Sequence, residues 1–294
     1  MSKCKPFNIQ LFYRINIVRS EYKGMKIVDK SIIVTGGGNG VGRELVLQLL
    51  SKGAKVIAVD INETALQETF RISGENKKLI IRSLDISKAE EVFNFADEII
   101  SYVGYIDGII NNAGIIQPFI DLKDLKLEQI YKVMNVNFYG TLYMTKAFLN
   151  HLLTRPEANI VNIASMGGFF PFPGQCAYGA SKAAVKLMTE GLYSELLGTK
   201  VRVSIVFPGG IATDIMKNSD ISNNAQAAAD QNVKLLLSPY DAAFKIIRGM
   251  EKNKYRFFIG KDSKFMNLLY SLNPSFATRI VKKAFGAKLY EQTK

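Results

Sequence analysis

From Met25 onward, apolar positions follow two alternating patterns: short apolar runs that close on glycine, aspartate or asparagine, and stretches where they recur every three or four residues. Ser31–Thr35 (SIIVT) is a run of the first kind and fits a strand buried on both faces. The next stretch, 41–51, places Val41, Leu45, Leu49 and Leu50 on one helical face, and Gly53 stops it. The same reading predicts strands over 55–60, 78–83, 107–111, 159–164 and 200–207. Helices are expected over 62–72 and near 87–103, with a long helical stretch before each of the last two strands. Strands separated by helices at this spacing predict an α/β fold, a doubly wound parallel sheet. One domain over 25–262 is expected, with an N-terminal extension at 1–24 and a C-terminal one at 263–294.

Composition narrows the chemistry. The chain has one histidine, His151, and two cysteines, Cys4 and Cys176. That is too few for a Cys/His zinc centre or a disulfide framework, so no metal is expected. A Ser-His-Asp triad would rest on His151 alone, which lies in a helical stretch with no nucleophile motif. No apolar run approaches the ~18 residues of a membrane span, and no secretory signal is evident, so a cytoplasmic location is expected. The net charge of +12 sits at the ends: +4 over 1–24, −1 over 25–244 and +9 over 245–294. A nucleic-acid binder would carry its basic face on the folded domain, and none is expected to bind here. Residues 1–24 fit a targeting peptide, a membrane-surface arm or a plain upstream extension.

Between the first strand and helix lies Thr35-Gly36-Gly37-Gly38-Asn39-Gly40-Val41-Gly42. Glycines let the backbone approach a pyrophosphate, and the helix N-terminus offers free N–H groups. Asp60, 18 residues after Gly42, ends the second strand, where a carboxylate would grip the adenosine ribose. That carboxylate would repel a 2′-phosphate, and neither Asn39 nor Ile61 supplies a cation for one. NAD is therefore favoured over NADP.

The spacing T-G-x-x-x-G-x-G resembles the classical short-chain dehydrogenase/reductase family, and further segments match it in order over roughly 28–262. Leu84-Asp85-Ile86 is similar to its adenine-contacting segment, and Asn111-Asn112-Ala113-Gly114 to its N-N-A-G signature. Asn137 matches the active-site asparagine, Ser165 the catalytic serine, and Tyr178 with Lys182 the Y-x-x-x-K pair. Pro208-Gly209, with Ile211 and Thr213 just beyond, matches the segment that contacts the nicotinamide carboxamide. The resemblance implies a Rossmann-type fold and an NAD(P)(H)-dependent oxidoreductase with Asn137, Ser165, Tyr178 and Lys182 as its catalytic tetrad. It also implies cofactor contacts from Thr35, Gly36, Asn39, Gly40, Val41, Gly42, Asp60, Ile61, Asp85, Ile86, Asn112, Ala113 and Gly114, from Tyr178 and Lys182, and from the 208–213 segment. A homodimer or homotetramer, joined through helices that include the one bearing Tyr178, is implied too.

Tyr178 and Lys182 are four residues apart on a helix and project from one face. A neighbouring ammonium, and the positive charge of an oxidised nicotinamide, are expected to pull the tyrosine below its ordinary pKa of about 10. Tyr178 would exchange a proton with the substrate oxygen, Ser165 would steady that oxygen, and Asn137 would anchor a water that relays protons from Lys182. Three phenylalanines and two prolines over 167–174 suggest an apolar wall beside the reacting carbon or ordinary core packing. Cys176 reads as a small apolar lining residue, and 216–238 as a substrate lid. An apolar alcohol or ketone is expected: a steroid, retinoid, fatty or ketoacyl compound. The C-terminal stretch puts Phe276, Ile280, Ala284 and Phe285 on one face of a basic helix, which can lie on an anionic membrane, pack over the domain, cap a pocket or join subunits. Two alternatives keep the fold without turnover: a cofactor-binding sensor and a membrane-surface scaffold.

Overall fold

The computed structural model describes residues 24–212 and 236–290, with side chains to residue 283. Residues 1–23, Thr213 and most of the expected lid lie outside the described residues. The elements run β1 (Ser31–Thr35), α1 (Gly40–Ser51), β2 (Lys55–Asp60), α2 (Glu63–Ile72), β3 (Leu79–Ser83), α3 (Ala89–Val103) and β4 (Gly108–Asn111). Then follow α4 (Leu127–Met134), a π-helical turn (Asn135–Gly140), α5 (Thr141–Leu153), β5 (Ala158–Ile163), a 3₁₀ turn (Met166–Gly168) and α6 (Cys176–Glu195). The chain ends with β6 (Val201–Pro208), α7 (Pro239–Glu251), β7 (Arg256–Ile259), α8 (Lys261–Leu272) and α9 (Pro274–Tyr290).

All seven strands are parallel, in the order β3-β2-β1-β4-β5-β6-β7. This is the doubly wound Rossmann-type sheet expected from the alternating pattern. Alternate residues of β1 enter different cores, which is why its run is apolar throughout. Ile32 and Val34 join Leu45 and Leu49 of α1 and Ile246, Ile247 and Met250 of α7. Ile33 joins Ile99 of α3, Phe148 of α5 and Leu192 of α6 on the other face. Burying such a side chain stabilises the fold by about 1.5–3 kcal/mol, and the two layers together hold the sheet rigid. The strand order reverses between β1 and β4, so their carboxyl ends open a crevice there.

His151 has a structural job. Its Nε2 accepts the Ile106 N–H at 3.0 Å at the mouth of β4. Nearby, buried Asp107 accepts from Arg155 at 3.0 Å and from the Ser31 amide at 3.1 Å, joining α5 and β1 to the start of β4.

The C-terminal helices fold back on the domain. Ala277 and Val281 of α9 are buried with Phe170 of the segment after β5, and Met266, Leu269 and Tyr270 of α8 pack around them. The face predicted to be apolar points elsewhere: Phe276 and Ile280 are exposed, while the side chains of Ala284 and Phe285 lie outside the described residues. No helix of the described residues is long and apolar enough to cross a membrane.

Candidate active site

The glycine-rich turn leaves β1 and enters α1 through Asn39, whose Oδ1 accepts the Gly40 N–H at 3.3 Å. The N–H groups of Val41 and Gly42, in the first helical turn, have no hydrogen-bond partner among the described residues. A Cβ on Gly42 would overlap the Gly36 carbonyl oxygen, so only glycine lets the turn close this tightly. Thr35 is buried and its Oγ1 accepts the amides of Asn112 and Ala113, at 3.0 and 3.1 Å. Asn112 Nδ2 returns a bond to the Thr35 carbonyl at 3.0 Å. These groups lock the ends of β1 and β4 together and set the floor of the crevice.

Asp60 closes β2 with both carboxylate oxygens engaged, one by the Gly38 amide and one by the Asn62 amide, each at 3.0 Å. Ile61 is exposed beside it. Sequence reasoning missed Arg43. Its guanidinium donates to the Gly38 carbonyl from Nε at 3.1 Å and Nη2 at 2.7 Å, and to Thr69 Oγ1 at 3.1 Å. A cation therefore does stand behind the loop, though at neither Asn39 nor Ile61. The lone signal was its place directly after Gly42.

Asp85 takes both the amide and the hydroxyl of Ser87, at 2.9 and 2.7 Å, and Ile86 is buried where a Cβ on Gly140 would collide with it. The far side of the crevice comes from β6. The Gly209 amide bonds the Ile259 carbonyl at 2.8 Å, and the Gly210 amide donates to Asp262 Oδ2 at 2.7 Å. Ser263, one residue on, donates to the Phe207 carbonyl at 2.9 Å. Ile211 bridges to Leu237, which ties the two described ends flanking 213–235.

Ser165 follows β5 and half-buried Tyr178 sits in the first turn of α6, and the two side chains converge beside Gly167, where a Cβ would come within 3.2 Å of the Tyr178 ring and 3.6 Å of Ser165 Oγ. Ser165 Oγ also accepts the Gly167 amide at 3.1 Å, which fixes its rotamer. One turn beyond Tyr178, Lys182 is buried and donates from Nζ to the Ile163 carbonyl at 3.0 Å. Asn137 lies on the π-helical turn, fully buried. Its amide exchanges hydrogen bonds with both backbone groups of Ile115, each at 2.9 Å, and donates to Ser181 Oγ at 2.9 Å. A Cβ on Gly114 would come within 3.1 Å of both Asn137 Oδ1 and Lys182 Nζ, so the signature glycine marks where these two side chains converge.

The electrostatics reverse one expectation. Burial pushes the Tyr178 phenol above its ordinary pKa, opposed by the Ser165 hydrogen bond, and Lys182 does not lower it. The lysine ammonium is spent on Ile163, and burial pulls its own pKa down to about 8. Desolvation outweighs charge attraction here.

A second residue absent from the sequence reading holds the tyrosine in place. Gln117 is fully buried, and its Oε1 accepts the N–H groups of Ala177 and Tyr178 at 2.8 and 3.0 Å. These are orphan donors of the α6 N-terminus. Its Nε2 donates to the Gly174 carbonyl at 2.8 Å.

Of the three phenylalanines after Ser165, two serve packing. Phe169 stacks edge-on to Phe207 and Phe258, and Phe170 meets Tyr270 and the buried face of α9. Phe172, half-buried against Phe170, is the one left near the surface. Cys176 is exposed with a free thiol. Among the described residues no group of three or more His, Cys, Asp or Glu could hold a metal ion.

Residues 30–224 match the model of the short chain dehydrogenase family. The chain belongs to that family. A putative oxidoreductase, SadH of Mycobacterium tuberculosis, is 34% identical over 260 residues, covering 86% of this chain and 94% of that one. A solved family member from Burkholderia phymatum in complex with NAD is 26% identical, with a TM-score of 0.73 over 80% of this chain and 90% of that one. A short-chain dehydrogenase from Burkholderia cenocepacia in complex with NADP is 25% identical, also with a TM-score of 0.73, over 87% and 99%. The chain is thus an oxidoreductase-family protein with the fold of nicotinamide-binding relatives.

Proposed function

We propose that this short-chain dehydrogenase interconverts a secondary alcohol and a ketone, using NAD(H) in preference to NADP(H), on an apolar substrate. The observation that carries the reading is the convergence of Ser165 Oγ and the Tyr178 ring beside Gly167, one turn before a buried Lys182 and at the crevice end of the sheet. A sensor or scaffold that only bound cofactor would have no use for a serine hydroxyl set beside a tyrosine phenol with a buried lysine one turn on.

The residues fit the dinucleotide. The unpartnered amides of Val41 and Gly42 would take its pyrophosphate, with the α1 dipole behind them. Asp60 would reach the adenosine ribose, Asp85 and Ile86 the adenine side, and Asn112, Ala113 and Gly114 the crevice floor. Lys182 would hold the nicotinamide ribose, and Pro208, Gly209, Ile211 and Thr213 the carboxamide. When bound, the cofactor supplies the hydride chemistry.

The chain's own residues handle the proton. Tyr178, kept protonated by burial, donates to the oxygen of a ketone substrate, and Ser165 donates a hydrogen bond to the same oxygen as its charge develops. Lys182, with its pKa near 8, reprotonates the phenolate side of the site, and Asn137 holds the path between them. Phe172 favours an apolar substrate flank. Exposed Leu187 on the outer face of α6 suits a subunit contact, as a homodimer or homotetramer requires.

Fluorescence titration with NADH and NADPH tests the cofactor. Oxidation of a panel of apolar secondary alcohols by wild type and by Tyr178→Phe tests the chemistry. Tighter NADH binding and a loss of about 1,000-fold in kcat for the variant, with cofactor binding kept, are expected. Equal turnover by the variant would sink the reading.

A further inference from the structure

We propose that the cationic cleft between α7 and β7, together with the outer faces of α8 and α9, docks the protein onto an anionic phospholipid surface. The cleft, about 620 Å³, is lined by Lys245, Arg248, Lys252, Lys254, Arg256 and Lys264, with no acidic residue among its lining. All six side chains are exposed. Arg256 approaches Glu190 at 3.7 Å, but no carboxylate of the described residues pairs with the other five. Arg256 also rests on the Phe207 and Phe258 rings and Arg248 on Phe244, but the four lysine side chains have no hydrogen-bond or ion-pair partner among the described residues, and six cations around one cleft repel one another. Their counter-charge comes from outside, and closely spaced phosphates are the chemistry that supplies it.

The apolar half of the surface adjoins this cleft. On α8, Phe265, Leu268 and Leu272 recur at spacings of three and four, with exposures of 61%, 59% and 76%. Phe276 and Ile280 continue the exposed apolar surface on α9. The opposite sides of both helices are already used, against Phe170. A helix apolar on two sides is normally covered on both. Exposed Lys261, Lys264, Arg279, Lys282 and Lys283 flank these side chains, which is the arrangement of a helix lying in a membrane interface. Lys264 lines the cleft and precedes Phe265, so the basic and apolar parts form one continuous surface.

The occupant follows from what the surface would reject. A second copy meeting it face to face would set these cations against each other. A nucleic acid would meet the phosphate requirement but leave Leu268, Leu272 and Ile280 with nothing to stack on. A bilayer with acidic headgroups satisfies both halves.

Co-sedimentation of the full chain with vesicles tests this, using pure phosphatidylcholine and phosphatidylcholine mixed with phosphatidylglycerol. Binding to the acidic vesicles alone, weakened by salt, is the expected result. Replacing Lys245, Arg248 and Lys252 together by Gln should weaken it about 100-fold. Phe265→Ser with Leu268→Ser should weaken it as well, while thermal unfolding and NADH binding of both variants match wild type. No co-sedimentation with acidic vesicles overturns the proposal, as does binding that neither variant weakens. If inorganic phosphate binds in the cleft while vesicles do not, the site holds a free anion and the membrane reading fails. None of these readouts uses turnover, so they stand or fall apart from the assigned reaction.

Discussion

The ammonium of Lys182 lies 3.0 Å from the carbonyl oxygen of Ile163, buried at the end of β5. A single carbonyl is modest compensation for a buried cation, and the lowered pKa records the shortfall.

Lys182→Met should therefore make the unliganded protein more stable at pH 7, by up to about 3 kcal/mol from the desolvation relieved, while abolishing turnover. The folded protein loses the Lys182 proton near pH 8 and the unfolded chain near 10.5. Wild type thus gains stability on the variant as pH rises between those values. Denaturant melts of both proteins at pH 7 and pH 10 measure this. A stability gap that stays constant over that range contradicts the burial of the charge.

His151 works in the opposite pH range. Burial, helped by Arg155 and opposed by Asp107, lowers its pKa below 6.5, and the neutral imidazole is the form that accepts the Ile106 N–H. The unfolded chain takes up this proton first, so the contribution is complete above about pH 6.5 and is lost as pH falls through the folded-state value. His151→Gln should flatten the stability profile of the difference between pH 7 and pH 5. An unchanged acid slope in that variant would remove His151 as the cause.

Gln117 positions Tyr178 by accepting two backbone amides of α6. Gln117→Leu leaves both donors buried without a partner and should cost about 1–3 kcal/mol of stability. It should also lower kcat far more than it raises KM. Gln117→Glu keeps the acceptor, and only its protonated carboxyl can still donate to the Gly174 carbonyl, so kcat should recover as pH falls, which a residue that merely fills space would not permit. Steady-state kinetics of the pair across pH decides between these roles.

Asp60 and Arg43 meet across the backbone of Gly38, the first on its amide and the second on its carbonyl. Asp60→Ser should weaken NADH by about tenfold and leave NADPH weakened less or improved, because Arg43 then faces a 2′-phosphate without a competing carboxylate. Titration of the double change Asp60→Ser with Arg43→Ala should abolish that gain. NADPH affinity indifferent to Arg43 would exclude it from cofactor selection.

The inner strands β1, β2, β4, β5 and β6 were readable because burial on two faces favours apolar runs, and the edge strand β3 because Leu79, Ile80 and Ile81 still form one. The edge strand β7 was not: its partly exposed Arg256–Ile259 sequence serves one neighbour, and four residues carry little period. The turn from Tyr178 to Lys182 was readable from helical spacing, but the pairing of Ser165 with Tyr178 came through family resemblance alone. Gln117 lay beyond reach because its partners are some 60 residues away in the chain. Arg43 was passed over because its acceptors are backbone and a threonine, which no charge pattern reveals. The sign of the Tyr178 shift could not be read either, since local spacing shows which charges are near and nothing of how much water is excluded.

Asp262 and Ser263 sit beyond the matched family region, yet they fasten the carboxyl end of β6: one holds the Gly210 amide, the other the Phe207 carbonyl. Whoever trims this chain to a minimal unit meets a hidden stop there. A cut before Lys261 leaves the sheet whole on paper but unbolts the strand end that frames the crevice, so the shortest working version must carry the first turn of α8.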